Sequence, residues 1–308
     1  MKRKNLNFLT TLLVLATQFP AGAVIVAGTS GTGNNNDTQA GLASYLSSAS
    51  LTTFPYWDNL VRVSNSSGVY LGYNASTLRG WVLSADHINP EPTTITVAGK
   101  TYTVSGTSAA IGSSDLTLYE IGGGALDPAL PFLPTVPLAS ATASFNQIAL
   151  MFGRGFTNDT TGPYSWVIPG TDDANAMRWA SNSIQGNVIV GSQPYVVVDF
   201  DGPTDPGVTP FDGQAANGDS GGGLFTLRAG VWELSGIAHF VDDGPNFLEV
   251  SPTGDGIVDP SQPGDFSAYS SVFAKSVAIT GITGTLVPEP SALLLSLAAI
   301  PLLFRRRR

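Results

Sequence analysis

Asn217–Gly223 reads NGDSGGG, a single serine set between an acidic residue and a run of glycines. A serine hydroxyl attacks a carbonyl only when a base takes its proton and when backbone N–H groups converge on the oxygen that turns negative. Glycine has no Cβ and reaches backbone angles closed to other residues, so the N–H groups of Gly218 and Ser220 can point into one small oxyanion site. Ser220 is the candidate nucleophile, and Gly218 with Ser220 the candidate oxyanion donors. Taken alone, the stretch reads equally well as a glycine-rich hairpin turn. What separates the two readings is whether the chain also supplies a base.

Working back from Ser220, the chain from Leu60 onward is a series of short β-rich runs: LVRV, GVYLGYN, GWVLSADH, TTITVAG, KTYTVSG and DLTLYEIGG. Runs at this spacing, separated by Gly, Asn and Ser, predict an antiparallel barrel or sandwich. Two of them carry titratable residues at an end. WVLSADHI (81–88) brings an apolar strand to His87, and SSDLTLYEI (113–121) starts a strand at Asp115. An imidazole suits taking and returning a proton near neutrality, and a carboxylate behind it fixes the tautomer. His87 is one of only two histidines in the sequence, His239 being the other.

These three stretches, in this order, resemble a trypsin-like serine protease of the chymotrypsin fold. LSADHI resembles the catalytic histidine motif, SSDLTLYEI the aspartate motif, and NGDSGGG the GDSGGP nucleophile motif. FGRG (152–155), SGIAHF (235–240) and YSSVFAKSVAIT (269–280) resemble later landmarks of the same family, so the likeness spans nearly all of residues 24 to 286. It implies an all-β fold of two packed antiparallel β-barrels with a short C-terminal helix. The first barrel would lie in 24–132 and the second in 133–286, the first ending near Pro131 and the second starting near Phe145. The catalytic residues implied are His87, Asp115 and Ser220.

The departures from the family pattern matter as well. Asp86 precedes His87 where alanine is usual, and Asp86, Asp199 and Asp219 stand as alternatives to Asp115 for orienting the base. Gly223 takes the place of the family's proline. His239 falls where the family has a serine that hydrogen-bonds the catalytic aspartate; it either takes over that contact or lines the cleft. The likeness places the specificity pocket floor at Gln214, with His239, Phe240 and Val241 as further substrate-binding residues. Gln214 has no charge to pair with a substrate cation, and Val241 narrows the pocket. A preference for small or medium uncharged residues is expected. An N-terminus beginning at Ile25–Val26 and paired with Asp219 is a further possibility, but cleavage after Ala23 leaves Val24 first, one residue out of register.

The two ends of the chain stand outside this fold. Met1 to Ala23 has a basic start (Lys2, Arg3, Lys4), an apolar stretch and an Ala-Gly-Ala close, the pattern of a secretory signal peptide. Residues 287–308, VPEPSALLLSLAAIPLLFRRRR, resemble the PEP-CTERM sorting signal of Gram-negative bacteria. That likeness implies recognition by an exosortase and delivery to the cell surface or outside, with membrane contact only through this tail. The apolar part is a marginal transmembrane span of roughly 21 Å against about 30 Å of bilayer core, so a permanent anchor is the competing reading.

Composition closes off other classes. Between the two end segments lie seven basic and 22 acidic residues, a balance that disfavours nucleic acid and anionic membranes as partners. The sequence has no cysteine, which excludes a disulfide scaffold and thiolate metal sites. GTSGTG (28–33) has no following Lys-Ser/Thr pair and so no phosphate-loop chemistry. The acidic loop from Asp242 to Asp265 is rich in calcium-type oxygen ligands but matches no EF-hand spacing; no cofactor is expected, a structural calcium aside. The sequence thus points to a secreted serine endopeptidase acting on protein or peptide. An esterase with the same site chemistry, or a non-catalytic binding module on a protease fold, are the alternatives.

Overall fold

In the computed structural model the residues described are 25–26, 38–155, 157–158, 166–167, 177–201, 208–215, 218–241 and 266–287. The leader, residues 288–308 of the tail and the acidic loop 242–265 lie outside them. After β1 (Ile25–Val26), six strands form the first barrel: β2 (Leu60–Val63), β3 (Ser66–Asn74), β4 (Arg79–Ser84), β5 (Thr94–Val97), β6 (Lys100–Ala110) and β7 (Thr117–Ile121). They close in the order β2-β3-β4-β7-β6-β5. Next come β8 (Ile148–Gly153), the short pair β9 (Thr157–Asn158) and β10 (Trp166–Val167), β11 (Arg178–Val190), β12 (Gln193–Asp199), β13 (Gly213–Gln214), β14 (Gly223–Arg228), β15 (Val231–Val241) and β16 (Phe266–Ser271). The second barrel closes as β11-β12-β16-β15-β14-β8, and the pairs in both barrels are antiparallel. The expected all-β architecture of two antiparallel barrels is therefore present. Closure removes the exposed strand edges that an open sheet would leave, and it does so without a cross-link.

Most first-barrel strands are buried along nearly their whole length, and β5 alternates. In β5 the sequence TITV alternates exposed and buried, with Ile95 and Val97 inside the barrel. Val63, Val69, Leu83, Leu118 and Ile121 are fully buried beside them. Each such side chain contributes roughly 1.5–3 kcal/mol relative to an exposed position.

Among the described residues two α-helices flank the barrels. α1 (Gln39–Ser48) starts at Thr38, whose Oγ1 accepts from Gly41 N at 3.0 Å, and it buries Leu42, Tyr45 and Leu46 at helical spacing. Tyr45 stacks on Trp179 of the second barrel, with ring centroids 5.4 Å apart. The sequence reading did not anticipate this helix, because its apolar stripe is thin and interrupted by Gly, Ala and Ser. α2 (Val272–Thr283) follows β16 directly and is the expected C-terminal helix. Its last carbonyl, on Thr283, accepts from Asn74 Nδ2 of the first barrel at 2.6 Å. Among the described residues no helix is long and apolar enough to cross a membrane.

Candidate active site

The pairing of β4 with β7 brings the candidate base His87 and the carboxylate of Asp115 together. Ser84 lies opposite Thr117 in that ladder, so the chain leaving β4 and the chain entering β7 run side by side. His87 is three residues beyond β4 and Asp115 two residues before β7. Buried Ala85 and Ile88 pin the turn on either side of His87, while buried Ser114 and Leu116 do the same for Asp115. The two sequence runs were expected to be strand as far as His87 and from Asp115. Both residues instead sit in turns just outside the strand ends, where their side chains are free of the ladder.

Asp115 holds His87 at two points. Its Oδ2 lies 2.8 Å from Nδ1 and its Oδ1 accepts from the His87 backbone N–H at 2.9 Å. A carboxylate only accepts, so Nδ1 carries the proton and Nε2 presents a lone pair. That lone pair lies 2.7 Å from Ser220 Oγ. The hydrogen bond to Asp115 raises the His87 pKa above its ordinary value; burial opposes this, and the charges of Asp115 and Asp86 add to it.

Of the four aspartates weighed from sequence, only Asp115 meets the imidazole. Asp86 is exposed and acts on His87 through its charge. Asp199 accepts from Gln185 Nε2 at 3.0 Å, and buried Asp219 accepts from Gly155 N at 2.7 Å.

The candidate nucleophile, Ser220, comes from the second barrel but is seated on the first. The Ser67 N–H donates to the Ser220 carbonyl at 2.9 Å, Ser84 Oγ donates to the Ser67 carbonyl at 2.6 Å, and Arg154 N–H donates to Ser67 Oγ at 2.9 Å. On the other side the Gly221 N–H donates to the Ala238 carbonyl at 2.9 Å. Gly221, at φ +81°, lies so close that an added Cβ would sit 2.0 Å from the Ser67 oxygen and 2.2 Å from Ser84 Oγ. Gly218 is also left-handed, at φ +92°. Within the described residues neither the Gly218 nor the Ser220 N–H has an intramolecular acceptor.

His239 reaches the same site from β15. It is the extra residue of a β-bulge, because Ala238 pairs with Tyr269 and Phe240 with Ala268. The bulge turns its ring onto His87, centroids 5.4 Å apart and tilted 29°. Nε2 lies 3.6 Å from Asp115 Oδ2, and Nδ1 lies 2.9 Å from the Tyr195 hydroxyl. Burial holds its pKa below the ordinary value against the pull of Asp115, with His87 adding to the depression. Phe240 packs edge-on against Tyr195, His239 and Phe266. Gln214 is buried in β13, where it pairs with Ile25 of β1, as Gly213 does with Val26. Val241 closes β15 opposite Ser267. Tyr195, Ser67 and Ser84 were not singled out from sequence: a tyrosine or serine in an ordinary strand carries no local signal of what it will touch across a barrel.

No protein-family model matches the chain, and no curated protein matches it. Among solved structures it is similar to neuropsin, a serine protease expressed in the limbic system of mouse brain, at 16% identity and a TM-score of 0.49, over 74% of this chain and 96% of that one. It is also similar to kallikrein-related peptidase 10 in complex with Zn2+, at 15% identity and a TM-score of 0.46, over 73% of this chain and 95% of that one.

Proposed function

We propose that the chain is a serine endopeptidase that works through a Ser220-His87-Asp115 triad and an acyl-enzyme. The observation that carries this reading is the continuous hydrogen-bonded line from Asp115 Oδ2 through both ring nitrogens of His87 to Ser220 Oγ, at 2.8 and 2.7 Å. It joins a base from one barrel to a nucleophile from the other. His87 Nε2 takes the Ser220 proton as Oγ bonds to the substrate carbonyl carbon, and the carbonyl oxygen becomes the oxyanion. The N–H groups of Gly218 and Ser220 receive that charge. Collapse of the adduct breaks the C–N bond; His87 returns its proton to the leaving amine, and an ester to Ser220 remains. Water then attacks this ester with His87 again as base, which restores the serine. Asp115 keeps the tautomer and balances the imidazolium throughout.

Gln214, uncharged and buried, supports a preference for small or medium uncharged side chains at the cleaved position, and His239, Phe240 and Val241 are proposed as further substrate-binding residues. We further propose that the leader directs export and that the tail is read by an exosortase-type enzyme at the cell surface. The first experiment is labelling of the purified protein with a fluorophosphonate, in wild type, Ser220→Ala and His87→Ala. Labelling confined to wild type supports an activated serine, whereas equal labelling of all three removes the reading. Parallel hydrolysis of matched peptide and ester substrates then separates a peptidase from an esterase, and efficient cleavage after Arg contradicts the proposed preference.

A further inference from the structure

The sequence holds two imidazoles and no thiol, and the fold brings both imidazoles to one carboxylate. One nitrogen from each of His87 and His239 and one oxygen of Asp115 all lie within 4.8 Å of one another. We propose that His87, Asp115 and His239 form a binding site for a divalent transition-metal ion of the zinc class, and that occupancy switches the hydrolase off. The switching half rests on the function proposed above; the binding half does not.

The two gaps to Asp115 suit such an ion with small movements, and the two imidazole nitrogens, within 4.8 Å of each other, close toward the same spacing. His87 Nδ1 is 2.8 Å and His239 Nε2 is 3.6 Å from the same oxygen, Asp115 Oδ2. Ligands at about 2.0–2.2 Å from a tetrahedral zinc stand roughly 3.3 Å apart. The first gap opens by about half an ångström and the second closes by a few tenths. Two imidazoles and a carboxylate are a zinc donor set, whereas magnesium and calcium favour oxygen ligands in larger number. The side chains of His87 and His239 are 41% and 28% exposed, which leaves an approach for the ion and an open fourth position.

The site also has a supporting contact. An imidazole that binds metal through one nitrogen keeps its proton on the other and donates it to an outer partner. For His239 that partner is in place, the Tyr195 hydroxyl, 2.9 Å from Nδ1. The β-bulge explains why His239 reaches Asp115 at all, since a regular strand would pair residue 239 in the ladder and aim its side chain elsewhere.

Binding changes the chemistry without covering the serine. With the ion on His87 Nδ1, the single proton of the neutral ring moves to Nε2. His239 binds through Nε2 with its single proton on Nδ1, so each neutral ring keeps one proton and nothing is oxidised. His87 Nε2–H then donates toward Ser220 Oγ and has no lone pair to accept the serine proton. Chelation reverses the change.

Titration of the metal-free protein with zinc chloride in a calorimeter tests this, with magnesium chloride as control. The expected result is one zinc per chain and no magnesium. His239→Ala should weaken zinc by at least the tenfold to hundredfold that even an outer partner is worth, and Tyr195→Phe by roughly tenfold. Nitrogen NMR of the two imidazoles should show the His87 proton moving from Nδ1 to Nε2. Absent zinc binding, or equal binding by wild type and His239→Ala, overturns the site. Ser220→Ala should bind zinc as wild type does, which keeps this test independent of catalysis. Zinc that binds yet leaves the fluorophosphonate labelling rate unchanged overturns the switch alone. If metal-free wild type does not label, the hydrolase reading fails and takes the switch with it, while calorimetry still decides the site.

Discussion

Replacing Gly221 with alanine tests how the nucleophile is seated. The new Cβ would stand 2.0 Å from the Ser67 carbonyl oxygen and 2.2 Å from Ser84 Oγ, and Cβ atoms essentially never approach a neighbour within 3.0 Å. The nucleophile turn therefore has to retreat from the first barrel by about 1 Å. That retreat strains the Ser67 N–H bond to the Ser220 carbonyl, now 2.9 Å, and the 2.7 Å contact between Ser220 Oγ and His87 Nε2. A misplacement of about 1 Å at reacting atoms is worth roughly 10²-fold in rate, near 2.7 kcal/mol. The left-handed backbone at φ +81° adds about 1–2 kcal/mol against the folded state. The expected outcome is fluorophosphonate labelling slowed by about two orders of magnitude, with a Tm lowered by several degrees and the fold retained by circular dichroism. Labelling at the wild-type rate with an unchanged Tm would refute the claim that close packing of Gly221 on Ser67 holds the triad together.

The remaining predictions concern protons. As the proposed base, His87 works only when neutral, and its pKa lies above the ordinary 6.5, so labelling should fall as pH drops through a midpoint above 6.5; a midpoint below it contradicts the proposed role of Asp115. Asp115→Asn should cost about 10⁴-fold near neutral pH, as the same change does in the well-studied triad. The amide offers an acceptor to either the His87 backbone N–H or Nδ1–H, but not to both, and the unmatched contact sets donor against donor. Asp212 is fully buried, and burial pushes its pKa from 3.8 to about 7 against the N–H groups of Asp201 and Thr209 that bond its carboxylate. The folded state thus holds this proton more tightly than the unfolded chain does. Its contribution to stability is full below about pH 4, declines as pH rises to about 7, and is flat above. Thermal melts of wild type and Asp212→Asn across that range should show a shallower decline in the variant; parallel curves would show that Asp212 does not titrate there.

How much of this was legible beforehand follows from what each feature depends on. The nucleophile turn could be read because its glycines are a local demand: Gly218 and Gly221 take left-handed backbone that only Gly adopts freely. His87 and Asp115 could be read as strand-end residues because apolar β-rich runs mark where β4 and β7 lie, although both proved to stand in the adjoining turns. The many short runs separated by turn residues left barrel and sandwich both open, and the two-barrel arrangement was implied only by the family resemblance. Helix α1 could not be read, since its hold on the fold comes from burying Leu42, Tyr45 and Leu46 in the core, with Tyr45 stacked on Trp179 of the second barrel, rather than from a strong stripe of its own.

The sequence by itself determined the residue types, their chain order and the turns that carry them: a serine among glycines, a histidine and an aspartate beside strands, and only two imidazoles in all. Only the tertiary structure decided which of four aspartates meets His87, that His239 is bulged onto the same carboxylate, that Tyr195 backs His239, and that Ser67 and Gly221 lock the two barrels at the nucleophile. The physical reason is that turn geometry and apolar alternation act over a few neighbouring residues. Distances between residues 87, 115, 195, 220 and 239 are fixed by strand register and barrel closure, which depend on all the strands at once.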